Sequence, residues 1–400
     1  MKWGAGRPLK VFLAGLLVSR LGDQITQLAL PWVIYDLTGS ASVMGAAAAA
    51  FSAPMLLNPL IGALVDRADQ RRLLIGADLF RAALIVVIPL LWMLRALGAL
   101  EICVLAFALG TATLAYELAV FAISPSLVTA GDAPLLNGIF EGIGSFAGLV
   151  GPALAGALVG ALGAPLALLL DGASFLATAA PLAWLFERPA RPPAERGAGA
   201  GLRSLGRDAW VGVRFVLHHP VLRSLGLCFL VKNFATSASF GVLVYHFRRE
   251  LGLGVAQIGL IYSAAGATAT LSALATAWYG PRTRWSVVVL ISAAAQAAAI
   301  AGFATARSTF GLVGAALVWG AASSAINPLT RTLRQRIVPP ELLARVQAAS
   351  GLLAHAATPL GALVGGLAAE AYGAGPVLHA GSALLLGSGL IVLLTPLRRV

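Results

Sequence analysis

Ionisable side chains in the middle of long apolar runs are the first places where this chain could do chemistry. Asp23 and Arg20 lie three residues apart, about one helical turn, in the first such run. Lys232 lies similarly deep in a later run. A charge held in hydrocarbon is costly and often functional. We expect Asp23 to bind a proton or a cationic group, with Arg20 and Lys232 controlling its protonation. The alternative is a permanent Asp23–Arg20 ion pair.

A second set of charges is expected in the cytoplasmic half of the first group of apolar runs. Asp78 and Arg81 are also three residues apart, and a local pair between them is the simplest interpretation of that spacing. The other interpretation is a network of charges that latches the two halves of the chain together. Its members would be Asp66, Arg67, Arg71, Asp78, Arg81, Glu117 and Glu141.

The elements that carry these residues are predicted to be membrane-spanning helices. Hydrophobic residues make up 59% of the 400 positions and charged residues only 11%, whereas a soluble domain carries about 25% charged residues. Each span needs roughly 20 apolar residues. Twelve stretches qualify, at 11–36, 41–64, 73–96, 101–124, 136–161, 164–186, 221–245, 255–279, 285–306, 309–331, 343–369 and 372–396. The sequence therefore predicts an all-α integral membrane protein.

The twelve predicted spans fall into two groups of six. A long break rich in Pro, Arg and Gly separates an N-terminal six-helix bundle, 1–187, from a C-terminal six-helix bundle, 221–400, and leaves 188–220 as a cytoplasmic linker. Residues 135–152 align with 342–359 at a constant offset of 207. Parallel repeats of this kind predict two bundles related by pseudo-two-fold symmetry.

The distribution of Lys and Arg predicts the orientation, because cytoplasmic loops carry an excess of both. With the N-terminus in the cytoplasm, 21 of them fall on the cytoplasmic side and four on the opposite side. We therefore expect both termini in the cytoplasm of a bacterium and the chain in its inner membrane. The net charge of +12 is then a consequence of topology, and no nucleic-acid partner is expected.

The segment from Gly62 to Arg72, Gly-Ala-Leu-Val-Asp-Arg-Ala-Asp-Gln-Arg-Arg, resembles the loop between spans 2 and 3 of the major facilitator superfamily. It departs from the general pattern at Asp69 and Gln70, where Gly and Arg are usual. The resemblance implies the major facilitator fold. It also implies a gating role for Gly62, Asp66, Arg67 and Arg71.

Two further segments resemble the drug- and siderophore-efflux branch of that superfamily, the transmembrane secretion effectors. Gly22-Asp23 is followed by Leu37-Thr38-Gly39-Ser40, as is usual in the first span of that branch. In the sixth span, Asp171-Gly-Ala-Ser174-Phe175 stands where the branch has Asn-x-x-Ser-Phe. The resemblance covers nearly the whole chain.

The fifth predicted span carries Gly148, Gly151-Pro152 and Gly156, which resemble the antiporter motif of drug exporters. Small residues let helices approach closely, and Pro bends a helix. The alternative is ordinary small-residue packing, since the chain has 45 Gly. Together with the branch resemblance, this span favours export.

The resemblance implies a secondary active exporter of small amphipathic organic compounds that works by alternating access and proton antiport. One alternative is a siderophore exporter or a transporter of lipids or lysolipids with the same fold. Another is a membrane sensor or scaffold that transports nothing. No enzyme motif, cofactor or metal site is expected, and the protein is expected to be a monomer in contact with membrane lipid. Aromatic residues predicted to line its cavity are Trp32, Tyr35, Tyr116, Phe140, Phe234 and Tyr262.

Overall fold

The computed structural model describes residues 7–128, 131–184, 202–279, 283–339 and 342–399, and within these ranges all regular structure is helical. The first seven helices are α1 (Arg7–Thr38), α2 (Ala41–Ser52), α3 (Asn58–Arg67), α4 (Gln70–Met93), α5 (Ala99–Leu127), α6 (Ala133–Leu162) and α7 (Ala164–Trp184). Helix α8 (Leu202–His218) follows. The remaining helices are α9 (Pro220–Tyr245), α10 (Val255–Tyr279), α11 (Trp285–Thr305), α12 (Thr309–Ser324), α13 (Ile326–Ile337), α14 (Leu343–His355), α15 (Ala357–Tyr372) and α16 (Ala374–Leu394).

Ten helical segments in the described ranges are long and apolar enough to cross a membrane. Several are unions of neighbouring helices, such as Ala41–Val65 and Arg345–Tyr372. Helix α1 and the α12–α13 segment lie where the first and tenth spans are predicted. Helix α1 is less apolar than the ten, and α12 is shorter. The all-helical membrane fold is confirmed, while the count of twelve stays a prediction.

Proline and glycine determine where several helices bend or end. Pro54 opens a 3₁₀ turn after α2, and Pro59 lies in the first turn of α3, where a missing N–H costs nothing. Gly163 and Gly373 end α6 and α15 with φ of +81° and +84°, a left-handed conformation that favours glycine. The N–H groups of both glycines bond back to their helices. The same joint therefore occurs once in each half of the chain.

Contacts between helices form two groups joined by two seams. Helix α1 packs on α6 and α7, α4 packs on α5 and α7, and α2 packs on α5. In the second group α9 packs on α15 and α16, and α12 packs on α10 and α11. The two seams are α6 with α10 and α2 with α15. Helix α8 packs on α14 and α9. A cavity lies between the two groups.

Candidate functional site

The central cavity has a volume of about 770 Å³ and is lined by residues of both helix groups. Its polar wall comes mainly from the first group, and its other wall is largely apolar and aromatic. The polar and charged lining residues of α1, α5 and α7 are Arg20, Asp23, Gln24, Thr26, Gln27, Thr113, Glu117 and Asp171. The aromatic lining residues are Phe51, Phe175, Phe240, Tyr262 and Trp319. An apolar and aromatic cavity with a few charged groups is suited to an organic molecule.

Arg81 is the centre of the charged wall. It is fully buried on α4 and bonds to the equally buried carboxylate of Asp78, one turn away. The Thr178 hydroxyl donates to the other oxygen of Asp78 at 2.5 Å. The guanidinium carbon of Arg81 lies 4.0 Å from the ring centroid of Tyr116 and 4.2 Å from that of Phe175. Arg81 is thus held by a carboxylate and two ring faces, an arrangement that stabilises a buried cation.

Asp23 lies between two guanidinium groups at the edge of the cavity. Its Oδ1 is 3.5 Å from Nη1 of Arg81, and its Oδ2 is 3.7 Å from Nη1 of Arg20. Arg20 also bonds to Glu117 on α5 at 3.2 Å. The Asp23 side chain is 25% exposed, in contrast to the fully buried Asp78. Asp23 is therefore a carboxylate that a molecule in the cavity can reach.

Asp171 is a third carboxylate at the cavity, and it was not among the predicted site residues. The Thr26 hydroxyl of α1 donates to its Oδ2, and the Ser174 hydroxyl donates to its Oδ1 at 3.0 Å. Gly22 lets α1 pass directly over it, since a Cβ on Gly22 would lie 2.3 Å from Asp171 Oδ1. The glycine before Asp23 is the feature of the sequence that could have indicated that another helix comes close to α1 at this point.

Lys232 does not join this charged cluster. It lies on α9 beside a small second cavity inside the other helix group, with its ammonium 5.5 Å from the Phe229 ring centroid. That cavity is also lined by Cys228 and Gln296. Lys232 was expected to control the protonation of Asp23, but in the structure the second cation next to Asp23 is Arg81. It comes from α4, which lies beside α1 at this point, and not from α9.

Of the six aromatic residues predicted to line the cavity, Tyr262 does so. Tyr116 is buried against Arg81, and Trp32 and Tyr35 contact Arg248. Phe140 packs in an apolar cluster of the first helix group. Phe234 lies against α15, where its carbonyl oxygen would be 2.4 Å from a Cβ on Gly361.

Of the loop residues predicted to gate the molecule, Arg71 bonds within the first helix group. Arg71 donates from Nε to the Leu182 carbonyl oxygen at 2.5 Å and from Nη2 to that of Ala183 at 2.7 Å. Arg67 is exposed, and a Cβ on Gly62 would meet open space. The side chain of Asp66 lies outside the described residues. Glu141 is exposed on α6.

The glycine-rich part of α6 forms the first seam with α10. A Cβ on Gly266 would lie 2.0 Å from the Gly148 carbonyl oxygen, and one on Gly259 would lie 2.4 Å from that of Pro152. A Cβ on Gly156 would lie 2.9 Å from the Val255 carbonyl oxygen. The fourth predicted residue, Gly151, faces α1, where an added Cβ would lie 2.5 Å from the Gln24 side chain. Backbones therefore meet directly along the seam, as small residues permit.

Side chains join the two groups at the end of the molecule where Gly39 links α1 to α2, which we call the Gly39 end. Arg248 bonds to Asp36, and its guanidinium carbon lies 3.9 Å from the Trp32 ring centroid. Glu370 at the end of α15 accepts from the Ser40 hydroxyl at 2.9 Å and from the Ser42 backbone N–H at 3.1 Å. These contacts close the molecule at the Gly39 end.

Residues 12–362 match the sequence pattern of the Major Facilitator Superfamily. The chain is 27% identical to the multidrug efflux pump Tap of Mycolicibacterium fortuitum, over 97% of this chain and 96% of that protein. It is 31% identical to macrolide efflux protein A of Streptococcus pyogenes over 36% of each chain. Its fold is similar to that of a variant of the nucleoside transporter NupG, with a TM-score of 0.78 at 15% identity over 97% of this chain and 99% of that one. The chain therefore belongs to the Major Facilitator Superfamily of membrane transporters.

Proposed function

We propose that this transporter exports small amphipathic organic compounds from the cell by proton antiport and alternating access. The observation that carries the proposal is the cavity, in which acidic residues on α1, α5 and α7 face aromatic residues on α9, α10 and α12. An organic molecule with an apolar body and a basic group fits both walls.

The charges of the site do not balance, and this supports coupling to protons. The cluster contains the carboxylates of Asp23, Asp78, Glu117 and Asp171 but only the guanidinium groups of Arg20 and Arg81. An excess of two negative charges is expensive where the dielectric constant is low. Protons or a cationic ligand relieve that excess. Exchange of one for the other within this cluster of charges is the basis of the proposed antiport.

Closure at the Gly39 end supports a mechanism of alternating access in which the ligand enters from the cytoplasm. The Lys and Arg distribution predicts that the Gly39 end faces the outside and that both termini lie in the cytoplasm. The cavity then receives its ligand from the inside while the outer end is closed by the Arg248–Asp36 and Glu370–Ser40 contacts. Release outside requires these contacts and the α6–α10 seam to separate. The efflux activities named for two relatives support this direction.

The test uses inside-out membrane vesicles with an imposed proton gradient, acidic inside, and the fluorescent cation ethidium as probe. We expect ethidium to accumulate in vesicles that contain the protein and to leave when a protonophore collapses the gradient. Asp23→Asn should abolish accumulation, because it removes the carboxylate that the cavity exposes. Glu101→Gln, at an exposed position in the first turn of α5 and outside every predicted site, is the control and should transport normally. Accumulation by Asp23→Asn with an unchanged pH dependence would refute the role of Asp23.

A further inference from the structure

We propose that Asp171, together with the hydroxyl groups of Thr26 and Ser174, forms a proton-binding site in this transporter. The site is held between α1 and α7 at the wall of the central cavity. Its use in transport rests on the proposed function, but the presence of a proton there does not.

The hydrogen-bond partners of the carboxylates decide which one can carry a proton. Asp78 faces Arg81, and Asp23 faces Arg81 and Arg20. A guanidinium group only donates, so a carboxylate against it must accept and stays ionised. Asp171 instead faces two hydroxyl groups. A hydroxyl group accepts as readily as it donates, so one of them turns to accept from a protonated Asp171 without loss of a bond.

The burial of Asp171 favours its neutral form. Its side chain is fully buried, and the close approach of α1 at Gly22 keeps water away from it. A buried carboxylate without a cation in contact is strongly disfavoured, and taking up a proton is the simplest relief. Glu117 bonds to Arg20 and is not under the same constraint.

The charged groups around Asp171 link its proton to the occupancy of the cavity. On α1 these are Asp23 and Arg20, on α4 Arg81 and Asp78, and on α5 Glu117. Helix α6, which also packs on α7, carries Glu141 at an exposed position.

An organic cation that binds at Asp23 brings a positive charge next to Asp171. Repulsion then favours breaking the O–H bond of the Asp171 carboxyl group. The proton passes by way of the Thr26 hydroxyl, which bonds to Asp171 and lines the cavity, to cavity water, while the carboxylate remains. One positive charge enters the cluster and one leaves it. The exchange needs no other reactant.

Infrared difference spectroscopy of the purified full-length protein tests the site without measuring transport. A protonated carboxyl group has its own C=O stretching band, and we expect this band to decrease when the pH is raised and when ethidium is added. Asp171→Asn, which keeps the shape of the side chain, should remove the band, and Asp23→Asn should retain it at low pH. A band that persists unchanged in Asp171→Asn overturns the proposal.

A second variant covers the case in which Asp171→Asn does not fold. Thr26→Val removes one hydrogen-bond partner of the carboxyl group, so the band should shift in frequency. An unshifted band overturns the proposal. The two proposals fail separately. Absence of ethidium accumulation by the unaltered protein counts against the exporter, while the infrared result alone decides whether Asp171 carries a proton.

Discussion

Gly266 on α10 lies where the two helix groups come closest, and replacing it by alanine tests whether this seam controls the conformation. The added Cβ would lie 2.0 Å from the carbonyl oxygen of Gly148. Unbonded atoms normally remain about 3.5 Å apart. The two helices therefore have to separate by roughly 1.5 Å at this point, since backbone atoms cannot rotate away as a side chain does.

The magnitude follows from the cost of overpacking, which is typically about 1–3 kcal/mol for a methyl group in a well-packed interior. The cost falls on the conformation that is closed at the Gly39 end, in which Gly148 and Gly266 meet, whereas the proposed release step separates this seam. A free-energy change of that size shifts a two-state equilibrium roughly 5- to 150-fold. We therefore expect Gly266→Ala to favour the conformation that is open at the Gly39 end.

Electron paramagnetic resonance distance measurement can follow the change. Spin labels at Ala96 and Arg307, two exposed positions between helices of the first and second halves, report the separation of the halves. Both positions lie where the sequence predicts the outer ends of spans. The two cysteines, Cys103 and Cys228, are first replaced by serine. The expected result for Gly266→Ala is a larger population at long distance than in the unaltered protein.

The matched control is Gly144→Ala, one turn before Gly148 on α6, where an added Cβ meets nothing within 4 Å. This variant should leave the distance distribution unchanged. The reasoning is refuted if Gly266→Ala leaves the distribution unchanged, or if Gly144→Ala alters it to the same extent.

Two further predictions concern ion pairs. Arg248→Ala removes the bond to Asp36 and the contact with the Trp32 ring. The conformational equilibrium should shift by about 1–2 kcal/mol towards the conformation that is open at the Gly39 end, so more of the protein should show a long distance between the same spin labels. An unchanged distance distribution would contradict this prediction. Asp78→Asn leaves Arg81 without its buried counter-charge and should destabilise the protein by about 3–5 kcal/mol, seen as a lower melting temperature in detergent. A melting temperature equal to that of the unaltered protein would mean that the pair contributes little.

Length and apolarity predicted the spans well because lipid demands both. The predicted span at 164–186 corresponds to α7 (Ala164–Trp184), and that at 285–306 to α11 (Trp285–Thr305). The interruption between α14 and α15, around Ala356, was not predicted. A bend of this kind leaves the composition of the span unchanged. The length of an apolar run therefore predicts a span but not where the helix within it is interrupted.

The candidate site was predicted only as far as one helix allows. The local pairs Asp78–Arg81 and Arg20–Asp23 are present in the structure, since a spacing of three residues brings both side chains to one face. The long-range partners were not predicted. In a membrane protein the surfaces that face lipid and the surfaces that face other helices are both apolar. Periodicity therefore does not show which face of α7 turns Asp171 towards α1.

The seams between the halves have a consequence for the energetics of the cell. Gly148 and Gly266, and likewise Gly45 and Gly366, bring backbone against backbone, so no file of water molecules fits between the helices at these contacts. Such a file would let protons cross without cargo and run down the membrane potential. If the proton gradient drives this transporter, as proposed, the protein also has to prevent protons from leaking through it. Widening a seam by one methyl group should thus slow the growth of cells that make the protein, through leakage alone.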